Sequence, residues 1–120
     1  MTKFKELLVW QKAIDLVTDI YKITDNFPEK EKFGLVSQMR RAAVSTPSNI
    51  SEGCERSTNK DFAKFLVLAR SSAAELETQI IISLNLNYLT SPQSEELLNK
   101  VIEIKKMLFS LRKKILQTNN

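Results

Sequence analysis

Residues that could do chemistry are concentrated in one segment, Gln38–Gly53, which has the sequence QMRRAAVSTPSNISEG. Within it, Arg41, Ser45, Asn49 and Gly53 are spaced four residues apart, so a helix would align them along one ridge. A guanidinium, a hydroxyl and an amide on one ridge could bind a ligand or could form a structural network between helices. We interpret the ridge as mainly architectural and keep a ligand site as the alternative.

Pro47 lies inside the same segment and cannot donate a hydrogen bond to the carbonyl of Ala43. A proline inside a helix costs about 3 kcal/mol, so we expect the bend it introduces to have a use. The residues assigned to this predicted structural motif are Gln38, Arg41, Ser45, Pro47, Asn49, Glu52, Gly53, Ser72 and Glu75.

A buried ion pair between two helices is also expected near this motif, because buried charges need partners. Its candidate arginines are Arg41 and Arg70. Its candidate carboxylates are Glu52 and Glu75. Such a pair would hold the register of the two helices and would do no chemistry.

Basic residues form a second candidate site, since 18 Lys and Arg against 14 Asp and Glu give a net charge of +4. Bound nucleic acid would be contacted through its phosphates, because no aromatic residues alternate with the basic ones. A solvated surface, with cations complementing the helix dipole, is the alternative. The candidate nucleic-acid-binding residues are Arg40, Arg56, Lys60, Lys64, Arg70, Lys105, Lys106, Arg112, Lys113 and Lys114.

Catalysis is not expected from these residues. The chain has no histidine, and Glu52 and Glu55 near its single cysteine, Cys54, would raise the pKa of the thiol. There is no Glu-x-x-His motif of a di-iron bundle and no glycine-rich phosphate loop. The sequence therefore predicts a protein that is not an enzyme, with no catalytic residue, cofactor or metal.

The predicted location is cytoplasmic. The N-terminal residues have no apolar stretch of signal-peptide length, and no segment approaches 18 consecutive apolar residues. With one cysteine, no intramolecular disulfide can form.

Helices are the only elements the sequence favours, because 2 glycines and 3 prolines among 120 residues leave long stretches uninterrupted. The breaks are Asn26–Pro28, Ser57–Asn59 and Thr90–Pro92, where Ser91 is the expected N-cap. The predicted helices span about 5–25, 31–55, 59–89 and 92–117. Four helices with short connections predict a single all-α domain over residues 1–120, an antiparallel up-down-up-down four-helix bundle.

Apolar spacing predicts which helix faces are buried. The buried face of the first helix is expected at Leu7, Trp10, Ile14, Val17 and Tyr21. The buried face of the fourth helix is expected at Leu97, Val101, Ile104, Leu108, Leu111 and Ile115. A second apolar row on the fourth helix favours self-association over scattered exposed residues, and it comprises Leu98, Ile102, Phe109 and Leu116.

These motifs resemble the four-helix-bundle family of 23S rRNA intervening-sequence proteins over about residues 4–116. The most specific part is the pattern RRAAVSxPxNIxEG, at Arg40–Gly53. Further matches are Trp10, Ala13, Tyr21, Phe27-Pro28, Glu31, Phe33-Gly34-Leu35, Phe62, Phe65-Leu66, Ala69, Ser72, Glu75-Leu76-Glu77-Thr78 and Leu89. The chain departs from the family pattern at Thr46, Ser51 and Ser71, and the last suggests a slightly looser helix approach there.

The resemblance implies a bacterial protein folded as a left-handed four-helix bundle that assembles into homopentamers. A related branch comprises accessory variability proteins of diversity-generating retroelements, which are basic pentameric barrels that bind nucleic acid and a reverse transcriptase. We therefore expect a non-enzymatic accessory protein that binds RNA or DNA without sequence preference. The alternative is a protein-interaction scaffold that docks a partner such as a reverse transcriptase without binding nucleic acid.

Overall fold

The computed structural model describes residues 3–118 and contains four α-helices. They are α1 (Leu8–Thr24), α2 (Leu35–Cys54), α3 (Asn59–Asn85) and α4 (Ser91–Leu116). Short 3₁₀ turns at Phe4–Glu6 and Glu29–Glu31 precede α1 and α2. Within the described residues there is no strand, which confirms the predicted all-α four-helix bundle. The up-down-up-down order and the left-handed twist stay predictions.

The first two helices begin later than predicted, each for a local reason. Leu7 is extended, with φ −73° and ψ 124°, and separates the first 3₁₀ turn from α1. Gly34 lies outside the helical region, with φ −109° and ψ −110°, so α2 begins at Leu35.

The third helix ends at Asn85, four residues before the predicted end. Asn87 has a φ of 63°, a left-handed conformation that asparagine tolerates better than most residues. The amide of Asn87 donates to the carbonyl of Leu84, and that of Tyr88 donates to Ser83 at 2.9 Å. These two bonds form a Schellman motif, which satisfies the last carbonyls of α3.

The N-cap of α4 is Thr90, and the predicted capping role of Ser91 is wrong. The Thr90 side chain accepts from the amide of Gln93, and the Gln93 side chain accepts from the amide of Thr90 at 2.9 Å. This reciprocal pair is a capping box. Pro92 lies in the first turn, where its missing amide proton costs nothing.

The predicted buried face of α1 is wrong by one residue. Ile14 and Tyr21 are exposed, and the other predicted residues are only partly buried. Two overlapping apolar rows run along this helix, so spacing alone could not choose between them. The buried row is Val9, Ala13, Leu16, Ile20 and Thr24.

The prediction for α4 is closer to the structure. Leu97, Val101, Ile104 and Leu108 are buried, whereas Leu111 and Ile115 are partly buried near the end of the helix. Within the second row Leu98 is partly buried, and the exposed members are Ile102, Phe109 and Leu116.

The two ends of the bundle are closed by different contacts. At one end the Tyr88 hydroxyl donates to Glu31 Oε2 at 2.8 Å, which raises the pKa of Tyr88, and its ring lies 5.3 Å from that of Phe27. At the other end Asn59 Nδ2 donates to the carbonyl of Ile115 at 3.1 Å. The start of α3 and the end of α4 therefore lie together, about 40 Å from Tyr88 along α3.

Candidate nucleic-acid interface

A chain of hydrogen bonds connects α2 to α3 at the centre of the predicted motif. Asn49 Nδ2 donates to Ser45 Oγ at 3.0 Å, and the hydroxyls of Ser45 and Ser72 are 2.9 Å apart. Ser72 Oγ in turn donates to the carbonyl of Leu68 at 3.1 Å. Each hydroxyl has one proton, and Ser72 donates its proton to Leu68, so Ser45 is the donor in the bond between the two serines. This contact joins two helices, and Asn49 Nδ2 also donates to the carbonyl of Ser45 at 2.9 Å.

Gly53 marks a close approach of α2 and α3. A Cβ at this position would lie 2.8 Å from Phe62 Cδ1 and 2.8 Å from Phe65 Cβ. Both distances are well below carbon–carbon contact, so any side chain here would push the helices apart. Ser71, by contrast, is exposed and lines a groove beside α4, and the looser helix approach expected there stays a prediction.

The predicted buried ion pair is also wrong. Among residues 3–118, no ion pair connects Arg41 or Arg70 to a glutamate. Both arginines are exposed, as are Glu52 and Glu75. Glu77 of α3 instead pairs with Lys105 of α4, with Nζ and Oε1 2.9 Å apart.

The remaining motif residues have separate positions. Gln38 is exposed on α2, and its backbone amide donates to the carbonyl of Gly34 at 3.0 Å. Pro47 is buried inside α2, and the hydroxyl of the neighbouring Thr46 donates to the carbonyl of Ala42 at 3.1 Å.

Most of the candidate basic residues lie towards the end of the bundle where α3 begins and α4 finishes. This surface, called the basic end below, comprises Arg56, Lys60, Lys64, Arg112, Lys113 and Lys114, all of which are exposed. The Arg56 guanidinium carbon lies 4.5 Å from the centroid of the Phe65 ring, and Lys64 pairs weakly with Asp61 at 3.8 Å. Within the described residues, no carboxylate pairs with the three cations at the end of α4.

A groove between α3 and α4 continues from the basic end. Its volume is about 520 Å³, and Phe109, which is 52% exposed, lies in its wall. The Arg70 guanidinium carbon lies 5.2 Å from the centroid of the Phe109 ring. An adjoining depression shares Arg70, Lys105 and Phe109 and extends to Arg112. The residues around the first groove are Arg70, Ile102, Lys105, Lys106, Phe109 and Ser110.

Phe109 therefore lies among basic residues, and the inference that no aromatic residue alternates with them is wrong for α4. The signal is present in the sequence, since Lys106, Phe109 and Arg112 are three residues apart. This spacing indicates an aromatic residue among exposed cations only if this row of α4 faces outward, which the spacing alone does not show.

Arg40 lies away from the other candidates, beside the connection between α1 and α2. Its guanidinium donates to Asp25 Oδ1 at 2.9 Å, to Thr24 Oγ1 at 3.0 Å and to the carbonyl of Tyr21 at 3.2 Å. It also stacks 4.5 Å from the centroid of the Tyr21 ring. These contacts hold α1 against α2.

A second groove lies between α1 and α2. Its volume is about 630 Å³, and its walls include Tyr21, Val36, Arg41 and Val44. Phe33 stands at its edge with 90% of its surface exposed. A large apolar side chain in this position is available to another protein surface.

The chemistry of Cys54 is set by its surroundings. The thiol is buried, and this burial, followed by the charge of Glu55, raises its pKa from 9.0 to about 11. A thiol with this pKa is a poor nucleophile at neutral pH. Within residues 3–118 no three His, Cys, Asp or Glu side chains are placed to hold a metal ion, and no helix is long and apolar enough to cross a membrane.

Comparison with known proteins connects this geometry to a family. A solved structure from Bacteroides thetaiotaomicron, of a protein of unknown function from the S23 ribosomal protein family, aligns with a TM-score of 0.80. The two sequences are 29% identical, and the alignment covers 88% of this chain and 99% of that one. A comparison with curated proteins gave no match. The sequence model of the 23S rRNA-intervening sequence protein family matches residues 5–110, so the chain belongs to that family.

Proposed function

We propose that this protein is a non-enzymatic, homo-oligomeric accessory protein that binds RNA or DNA through phosphates, without sequence preference. The observation that carries the proposal is the basic end, where six exposed cations from α3, α4 and the connection between α2 and α3 lie near one another. Lysine and arginine side chains in such an arrangement bind phosphates by charge and release counterions. The Cys54 thiol is buried and its pKa is raised, and the sequence contains no histidine. Both observations support a binding role over catalysis.

Assembly would multiply this charge. We propose a homopentamer, as the family resemblance implies, in which a net charge of +4 per chain becomes about +20 per ring. Exposed apolar residues offer surface for such contacts, among them Leu68 and Ile82, which lie two heptads apart on α3. Light scattering should give a mass near five times 13.8 kDa, and a mass of one chain would contradict the assembly.

The proposal is tested by fluorescence anisotropy with labelled RNA and DNA oligonucleotides at ~50 and ~200 mM salt. Five phosphate contacts would weaken binding to a single strand by about 100-fold between these concentrations. Several unrelated sequences of equal length should bind with similar affinity. Absence of binding at the lower salt concentration, with the protein folded, would refute the proposal.

Two double charge-reversal variants test whether nucleic acid binds at the basic end. Lys113→Glu with Lys114→Glu should weaken binding by at least about 10-fold, because two contacts are lost and two repulsive charges are added. The matched control is Lys22→Glu with Lys30→Glu, which changes the net charge equally on exposed residues far from the basic end. If both pairs weaken binding to the same extent, total charge rather than the basic end determines affinity.

A protein-interaction scaffold is the second candidate function, and the exposure of Phe33 favours it. In this case the groove between α1 and α2 would dock a protein partner such as a reverse transcriptase. Apolar docking changes little with ionic strength, whereas phosphate binding weakens steeply. A partner whose binding is lost in Phe33→Ser but kept in the Lys113/Lys114 reversal would support the scaffold.

A further inference from the structure

The geometry points to a single-stranded nucleic-acid site in the groove between α3 and α4, where bases stack on Phe109 and Arg70. This inference rests on the proposed function and adds a preference for unpaired bases. Bases of every type have an aromatic face, so stacking adds affinity without sequence preference.

The stacking platform has two planar groups. The Arg70 guanidinium carbon lies 5.2 Å from the ring centroid of Phe109, and about half of the phenylalanine surface is open to solvent. Arginine planes and aromatic rings are the surfaces on which proteins stack unpaired bases. Because both groups belong to long helices, their positions do not depend on a flexible loop.

Cations surround this platform on the outer face of α4. Lys106 and Arg112 are three residues before and after Phe109, and Lys105 lies one turn before it. Lys105 is neutralised by Glu77 at 2.9 Å, which leaves Arg70, Lys106 and Arg112 as free cations within the described part of the chain. Such a set attracts the phosphates of a strand whose bases turn towards Phe109.

The length of the groove suits a short run of nucleotides. From Lys106 to Arg112, α4 rises about 9 Å, which corresponds to roughly three stacked nucleotides at ~3.4 Å each. The volume of about 520 Å³ beside Phe109 leaves room for a base to enter from solvent. Bases paired in a duplex have their faces covered by neighbours and could not reach the platform.

Charge also argues against a second copy of this chain placed face to face on the same groove. An isologous contact would bring Arg70, Lys106 and Arg112 of both copies together without a free carboxylate in the groove lining. A polyanion satisfies these cations, so the charges favour a nucleic-acid strand over a face-to-face copy of this chain as the occupant.

The test compares two single strands with the same phosphates, an oligoadenylate DNA and an equally long strand of abasic residues. Wild-type protein should bind the strand with bases about 5- to 150-fold more tightly, the range expected for stacking of one base. Phe109→Leu keeps an apolar side chain without the aromatic ring and should remove most of this difference. Phe33→Leu changes an exposed phenylalanine outside the groove and should keep it.

The outcomes separate this inference from the proposed function. Equal wild-type affinity for the two strands, with binding still weakened by the Lys113/Lys114 reversal, overturns the stacking site and leaves the phosphate-binding proposal intact. Absence of binding to both strands overturns both. A change in the light-scattering mass of Phe109→Leu would show that Phe109 lies in a subunit contact, which also overturns the stacking site.

Discussion

Replacing Gly53 by alanine tests the close approach of α2 and α3 at this residue. The new Cβ would lie 2.8 Å from a ring carbon of Phe62 and from the Cβ of Phe65. Carbon atoms prefer separations of about 3.5–4.0 Å, so each contact is short by at least ~0.7 Å. The Phe65 Cβ is fixed to the backbone of α3, and relief requires the helices to separate.

The expected size of the effect combines two opposing contributions. Overpacking of this kind costs about 1–3 kcal/mol, whereas alanine stabilises a helix over glycine by about 1 kcal/mol. Gly53→Ala should therefore lower the free energy of unfolding by about 1 kcal/mol. At Ser48, exposed on the same helix, alanine should instead be about 1 kcal/mol more stable than glycine.

Urea denaturation followed by far-UV circular dichroism measures this contrast, at one protein concentration because assembly would make stability depend on it. The wild type and three variants suffice: Gly53→Ala, Ser48→Gly and Ser48→Ala. The expected difference between the two positions is about 2 kcal/mol. If alanine stabilises position 53 as much as position 48, the close approach does not constrain the helices and the reasoning fails.

Three further predictions concern single contacts. Thr90→Ala should lower the free energy of unfolding by about 1 kcal/mol through loss of the capping box, and Thr90→Ser should restore most of it; equal stability of all three proteins would contradict this. A double-mutant cycle with Lys105→Met and Glu77→Gln should give a coupling of about 0.2–1 kcal/mol that decreases with salt, and a coupling of zero would show that the pair is not formed. Cys54 should react slowly with a thiol reagent in the folded protein. Because folding raises its pKa from 9.0 to about 11, the free energy of unfolding should fall as the pH rises between these two values. Cys54→Ala should lack this part of the fall.

The fold class could be predicted because helix breaks and apolar spacing are local properties of the sequence. The row of Leu97, Val101, Ile104 and Leu108 on α4 illustrates this. On α1 the same reasoning failed, because one apolar row passes through Val9 and another through Trp10, and only the packing of the other helices selects one. Similarly, the end of α3 depends on the backbone conformation of Asn87, which propensity alone does not determine.

The candidate site was predictable as a set of charges but not as an arrangement. Lys113 and Lys114 could be identified from sequence, since they end a helix without nearby acids. The separation of Arg40 from this group follows from its contacts with α1, about sixteen residues away in the chain. The role of Phe109 beside Arg70 required knowledge of which face of α4 is outward and which helix lies beside it.

The different closures of the two ends of the bundle have a consequence for local opening. The contact of Tyr88 with Glu31 and Phe27 fastens two connections together, whereas the opposite end carries neighbouring positive charges that repel one another. Helix ends under such repulsion fray first, so backbone amides near Lys113 should exchange with solvent faster than those near Leu97. A bound polyanion would remove the repulsion, and slower exchange at the end of α4 would then report binding without any label on the ligand.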